Sequence, residues 1–179
     1  MRPALDSGDW TLFLDRDGVL NRRLVGDYVR RAEDFEWLPG VLAALATLRL
    51  HFRYLIVVTN QQGIGKGLMT EADLTLVHAR LVGESAAAGG AIDAVYFCSA
   101  LVAAADPCRK PAPGMGLQAQ ADFPAIDFAQ SIMVGDSPSD VGFGESLGMR
   151  TVGITTSYAD VGAEEHYASL WDFAQALVA

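Results

Sequence analysis

The stretch TLFLDRDGVLN, Thr11 to Asn21, runs an apolar segment into Asp15 and Asp17, separated by one residue and followed by glycine. Carboxylates that close repel each other, so their placement calls for a compensating partner. Aspartates can serve as nucleophiles, proton carriers or cation ligands. Three further stretches carry groups of matching kind: TNQQG (Thr59, Asn60, Gln61, Gln62, Gly63), CRKP (Cys108 to Pro111) and GDSPSD (Gly135 to Asp140). Each has a plainer reading beside the chemical one. Asp15 and Asp17 could form a turn, Thr59 and Asn60 could be ordinary turn residues, and Lys110 could be a surface lysine. Asp136 could be a helix N-cap, alone or in addition. For Asp140 a capping box suffices, and a supporting role in the site stands beside it.

What must position these groups is visible in the apolar runs. Trp10–Leu14, Tyr54–Val58, Ala94–Phe97, Ser131–Val134 and Thr151–Ile154 are of strand length and show little alternation, the pattern of strands buried on both faces. Helical segments lie between them. Pro39 and Gly40 precede VLAALATLRL, with the proline expected in the first turn. TEAD, Thr70 to Asp73, opens a helix to about Ala88, and SPSD, Ser137 to Asp140, opens another with Pro138 at its first position. PGMGLQAQADF after Pro113 reads as a further helix, and a last one as Glu165 to Val178. Strands alternating with helices predict an α/β fold, with a parallel sheet and right-handed crossovers. Ligands of such sheets bind beyond the carboxyl ends of the strands. The four chemical stretches all fall there, the third across a loop. The stretches Arg16–Leu38 and Cys98–Pro113 are long for loops, which marks them as functional candidates.

With 179 residues, the chain is expected to form a single domain over 1–179. The net charge of −9 argues against a nucleic-acid or membrane binder, which would carry a basic field. Of thirteen Lys and Arg, eight cluster as Arg16, Arg22, Arg23, Arg30 and Arg31, then Lys66, then Arg109 and Lys110. Meeting in space, they would make one basic mouth suited to a small anion; the plainer reading is solvated surface arginines. There is no apolar run long enough to span a membrane and no apolar leader in MRPALDSGDW. Cys98 and Cys108 are too few for a disulfide framework. A soluble cytoplasmic protein, monomeric, is the expectation.

In these four stretches, in order, the sequence resembles the haloacid dehalogenase (HAD) superfamily of phosphotransferases, over about Leu12 to Ile154. The resemblance implies a three-layer, Rossmann-like parallel sheet with helices on both faces, and a Mg²⁺ cofactor. It assigns the metal to Asp15 and Asp136 through their side chains and to Asp17 through its backbone carbonyl. Asp15 is implied as the nucleophile that forms an aspartyl-phosphate, Asp17 as the general acid and base, and Thr59 and Lys110 as the groups on the transferring phosphoryl. The spans from Asp17 to Pro39 and from Thr59 to Lys110 leave no room for a cap domain, so the enzyme is read as capless.

The wording FLDRDGVLN, DYV, VVTNQQGIGKG, CRKPAPGM and MVGDSPSD is similar to that of heptose 1,7-bisphosphate phosphatases and their histidinol-phosphatase relatives. That similarity implies a small phosphorylated sugar as substrate. It assigns substrate contacts to the Arg22–Tyr28 loop, in particular Arg22 and Tyr28, to Asn60, Gln61 and Gln62, and to Arg109. Members of this group often hold a structural zinc through three Cys and one His, a set that must close a tetrahedron. Here Ala100 and Asp106 stand where a His and a Cys are expected, so no zinc is predicted and Cys98 and Cys108 are read as ordinary thiols. His51, His78 and His166 are read as surface or helix-packing residues. Two alternatives remain: the same chemistry on histidinol phosphate or another small monoester, and a non-enzymatic phospho-receiver domain. Receivers place the phosphorylated Asp on a different strand from the acid pair, whereas here both acids flank one arginine.

Overall fold

A computed structural model describes residues 9–155 and 160–179; residues 1–8, most of the stretch read for a leader, lie outside them. Six strands form one sheet in the order β3-β2-β1-β4-β5-β6. They are β1 (Thr11–Leu14), β2 (Tyr54–Asn60), β3 (Ala94–Cys98), β4 (Ser131–Gly135), β5 (Arg150–Ile154) and β6 (Glu165–Tyr167). Every neighbouring pair is parallel. The helices are α1 (Val41–Arg49), α2 (Gln62–Gly65), α3 (Glu71–Ala87), α4 (Gly114–Asp122), α5 (Pro138–Ser146) and α6 (Leu170–Val178).

Alternate residues of the strands feed two cores. Leu12, Leu14, Leu55, Val57, Ile132 and Val134 pack with Leu45 of α1, Val77 and Leu81 of α3 and Phe173 of α6. Phe13, Ile56, Val58 and Met133 face the other way, onto Met115 and Ala119 of α4 and Phe143 of α5. The expected three layers are therefore present. Each fully buried Leu, Val or Phe side chain contributes on the order of 1.5–3 kcal/mol relative to exposure.

Two expectations about local structure are corrected. Glu165–Tyr167 is not the start of the last helix but the edge strand β6, and α6 begins only at Leu170. The Ser169 hydroxyl caps α6 by accepting from Asp172 N–H at 3.1 Å. Pro39 lies outside the first turn of α1, because Gly40 is its N-cap with φ of 76°; a side chain there would be strained and would meet Trp171. The capping boxes at Thr70 and Ser137 form as read.

No helix among the described residues is long and apolar enough to cross a membrane. The sheet order places the topological switch between β1 and β4. The carboxyl ends of those two strands carry Asp15 and Asp136.

Candidate active site

Asp15 continues the ladder past β1, its N–H donating to Val134 O at 2.9 Å. The chain then turns sharply. The Arg16 carbonyl accepts from Leu20 N–H at 2.9 Å and Asn21 N–H at 3.2 Å, and Gly18 N–H donates to Asn21 O at 2.8 Å. Gly18 has φ of 93°, and a Cβ there would run into the Asp136 carboxylate. Glycine is thus required for conformation and for space. The turn presents Asp17 with its carboxylate held on all sides. Arg16 Nη2 donates to Oδ1 and Oδ2 at 2.9 and 3.0 Å, Asn21 Nδ2 to Oδ1 at 2.9 Å, and Gln61 Nε2 to Oδ2 at 2.9 Å. Burial alone would raise the Asp17 pKa, but the Arg16 charge and these donors together hold it below the usual carboxylate range.

Lys110 is buried at the centre of a second network. Its Nζ donates to Asp15 Oδ1 at 2.8 Å, Val58 O at 2.8 Å and Asp140 Oδ1 at 2.6 Å. Burial would lower its pKa, yet Asp140 and Asp15 raise it on balance, so the ammonium is retained. Asp140 Oδ2 accepts from Asp136 N–H at 3.1 Å, Ser137 N–H at 3.0 Å and Ser137 Oγ at 2.7 Å. One carboxylate therefore caps α5 and seats Lys110 beside Asp15. Asn60 fixes the lysine's backbone in turn: Nδ2 donates to Lys110 O at 3.1 Å, and Lys110 N–H donates to Asn60 Oδ1 at 3.0 Å.

The loop carrying Arg109 and Lys110 is tied to the end of β3 by a disulfide between Cys98 and Cys108, Cα to Cα 5.7 Å. The reading of these residues as ordinary thiols is corrected. Their positions in sequence gave no sign of contact; the loop's return to the strand end makes it. Asp106 lies close enough to both sulfurs to make a donor group, but sulfurs bonded to each other offer no thiolates, and the Asp106 carboxylate accepts from Cys108 N–H at 2.8 Å. As described, this group does not fit zinc.

Oxygens of Asp15, Asp136 and Asp140 lie within 4.8 Å of one another. Burial first, then the charges of Asp140 and Asp136, push the Asp15 carboxyl up to about 7 against the pull of Lys110. Burial likewise raises Asp136 to about 6, opposed by Arg23 and reinforced by Asp140. Buried acids crowded until they resist ionisation form an all-oxygen set suited to a hard divalent cation such as Mg²⁺. Asp140 is committed to Lys110 and the helix, which leaves Asp15 and Asp136 as the side chains that could hold such a cation.

A cavity of about 290 Å³ opens above these groups, and Asp15, Asp17, Tyr28, Asn60, Gln62, Arg109 and Lys110 line it. Thr59 and Gln61 do not line it. Both are buried, with Gln61 Nε2 donating to Thr59 Oγ1 at 2.9 Å. Arg22 is not brought to the cavity either: it is exposed and pairs with Glu36 at 3.3 Å. Its neighbour Arg23 lines the wall and pairs with Asp136 at 3.1 Å. The single basic mouth is accordingly smaller than expected. Arg30 pairs with Asp27 and Arg31 with Glu33, Lys66 donates to Tyr28 Oη at 2.9 Å, and Arg16 is buried. Within the Arg22–Tyr28 loop, sequence reasoning singled out Arg22 and not Arg23, and it did not single out Ser137 and Ser139 of the wall. The Arg22-Arg23 pair was the available signal, but a loop has no period to say which of the two faces inward.

A HAD-hydrolase-like family model matches residues 107–178. The chain is 42% identical over 173 residues to the D-glycero-alpha-D-manno-heptose-1,7-bisphosphate 7-phosphatase of Mycobacterium tuberculosis, covering 94% of this chain and 91% of that one. It is 37% identical over 144 residues to the D-glycero-beta-D-manno-heptose-1,7-bisphosphate 7-phosphatase of Rhodopseudomonas palustris, covering 76% and 78%. The crystal structure of the D,D-heptose 1,7-bisphosphate phosphatase from B. bronchiseptica, complexed with magnesium and phosphate, superposes with a TM-score of 0.83 at 27% identity, over 94% of this chain and 98% of that one. With the fold, the strand-end acids and these relatives in agreement, the chain belongs to the heptose-1,7-bisphosphate 7-phosphatase family of HAD-like hydrolases.

Proposed function

We propose that the protein is a Mg²⁺-dependent phosphatase that removes the 7-phosphate of D-glycero-D-manno-heptose 1,7-bisphosphate through an aspartyl-phosphate on Asp15. The observation that carries this reading is the pairing of Asp15 Oδ1 with the buried Lys110 Nζ at 2.8 Å at a cavity wall that Asp17 shares. A carboxylate so placed has one oxygen fixed by a cation and the other available to a phosphorus atom.

In the first half-reaction an Asp15 oxygen bonds to phosphorus and the bond from phosphorus to the sugar oxygen breaks. Asp17 gives its proton to that oxygen. Asp17 is held ionised in the free protein, and the negative charge of an arriving phosphate raises a neighbouring carboxyl pKa, so substrate binding favours the protonated form the step needs. In the second half-reaction Asp17 takes a proton from water as the water oxygen attacks the same phosphorus. Phosphate leaves and Asp15 is restored. The side chains of Asp15 and Asp136 and the backbone carbonyl of Asp17 would hold Mg²⁺, which when bound would supply positive charge to the phosphoryl oxygens. Lys110 adds a fixed positive charge on the same side. Thr59, buried below the cavity, is assigned to orient Gln61 and the phosphoryl end of the site. Arg109, whose Nη1 donates to Ala100 O at 3.0 Å, is assigned to the second phosphate of the bisphosphate.

Phosphate release should be followed on both anomers of the heptose bisphosphate, on histidinol phosphate and on an aryl phosphate, with Mg²⁺ present and then chelated. Turnover is expected on a heptose bisphosphate, to be lost on chelation and lost in Asp15→Asn with the fold retained. Arg109→Ala is expected to cost the bisphosphate about tenfold in kcat/KM, equivalent to ~1.4 kcal/mol of transition-state binding, and the aryl phosphate far less. Faster turnover of histidinol phosphate would move the assignment to that substrate, and equal Arg109→Ala losses on both substrates would remove that residue from substrate reading.

A further inference from the structure

The steps above leave one buried cation unused. Arg16, in the middle of the DRD turn, is fully buried, a state a guanidinium tolerates only when paired. Its Nη2 forks onto both oxygens of Asp17. Its Nη1 lies 3.1 Å from Nε2 of His78, a residue of α3 that the sequence marked only as packing. A guanidinium has donors and no acceptor, so Nε2 of His78 accepts and the imidazole is neutral with its proton on Nδ1. Burial, then the adjacent Arg16 charge, hold the His78 pKa down to about 3, in keeping with that role. The ring of Phe97 flanks the imidazole, centroids 6.2 Å apart.

The surroundings argue for a functional purpose. Arg16 Nε, Asn21 Oδ1 and Gln61 Oε1 are buried without a partner among the described residues. All three belong to residues that donate to Asp17. A buried unpaired polar atom costs about 1–3 kcal/mol, so a corner arranged for stability alone would be apolar. Asn21 and Gln61 also hold the carboxylate, but among the described residues the guanidinium bonds only to Asp17 and His78, and without His78 its fork can tilt. A second bond at Nη1 fixes the plane of the fork and with it the carboxylate.

We propose that His78 is a positioning residue that acts through Arg16 to hold the Asp17 carboxylate in its working orientation. The proposal rests on the acid/base role of Asp17 given above. Neither His78 nor Arg16 lines the cavity, so the effect falls on turnover and not on substrate binding.

The test uses the full chain with saturating Mg²⁺ and the heptose bisphosphate, with kcat and KM measured for His78→Leu, His78→Gln, Asp17→Asn and the double variant Asp17→Asn/His78→Leu. His78→Leu lowers kcat about tenfold and leaves KM within about twofold. His78→Gln, whose side-chain oxygen can accept from Arg16, recovers most of the loss. The double variant is no slower than Asp17→Asn, because His78 has nothing left to position. Should the leucine variant fail to fold, Arg16→Lys, which keeps the charge and loses the fork, carries the same expected loss of kcat. Normal kcat in His78→Leu beside an inactive Asp17→Asn overturns the proposal while sparing the assignment of Asp17. So does a glutamine variant no better than leucine, or a double variant slower than Asp17→Asn by the full factor. Normal kcat in Asp17→Asn would instead overturn the acid/base assignment, and the proposal with it.

Discussion

The Lys110 corner and the Asp17 corner face the same cavity and are built on different terms. Around Lys110 the valences are matched: Nζ meets Asp15, Val58 and Asp140, the second Asp140 oxygen takes donors from Asp136 and Ser137, and Asn60 uses both ends of its amide. Around Asp17 the carboxylate is amply bonded, yet Arg16, Asn21 and Gln61 each keep a buried polar atom without a partner among the described residues. The difference follows the work each side does. A nucleophile has to stay in one place with a fixed cation beside it. A group that gains and loses a proton in each cycle needs neighbours whose bonding can adjust.

The contrast breaks most visibly at Lys110. Lys110→Met should leave Asp15 and Asp140 buried without their counter-charge and cost about 3–5 kcal/mol of folding stability, read by denaturant unfolding, together with turnover. A variant that is inactive but as stable as the parent would show that the saturated network does not hold the fold. On the other side, Gln61→Leu removes a donor to Asp17 and an orphaned oxygen at once. It should lower kcat about tenfold with no loss of unfolding midpoint. A large fall in stability there would erase the distinction between the corners.

The smallest expected effect is in pH. The ordinary His78 pKa of 6.5 falls to about 3 in the folded protein, so between those values the unfolded chain binds more protons and stability drops as pH falls. Above the ordinary value the contribution is complete. Urea unfolding near neutrality and again at mildly acidic pH should therefore show the parent losing more than His78→Gln. Parallel losses in the two proteins would mean that His78 is not held neutral.

Much of this was legible in the chain itself. The acids, the amides, the lysine and the GDSPSD turn stand at the ends of apolar runs, and runs without alternation have few other homes than a doubly covered parallel sheet. β6 escaped notice because three residues, Glu165–Tyr167, have no measurable period and abut a helix. The SLWD pattern that caps that helix was readable and marks its true start. For Asp140 the capping box and a supporting role in the site stood side by side, since nothing local reveals that its other oxygen reaches a lysine thirty residues away at 2.6 Å. The same holds for Cys98 with Cys108 and for Arg16 with His78: partners brought together by tertiary structure leave no mark in either neighbourhood.

The strand order has a consequence for when the protein becomes competent. β1 lies between β2 and β4, so the seam between the earlier and later parts of the chain runs beside Asp15. A nascent polypeptide that has delivered β1 to β3 but not the following segments shows the DRD turn without Asp136, Lys110 or Asp140. Its carboxylates then have neither the ammonium nor the second metal-binding acid. The acid pair and the ammonium therefore meet only once β4 and the start of α5 have docked on the open flank of β1.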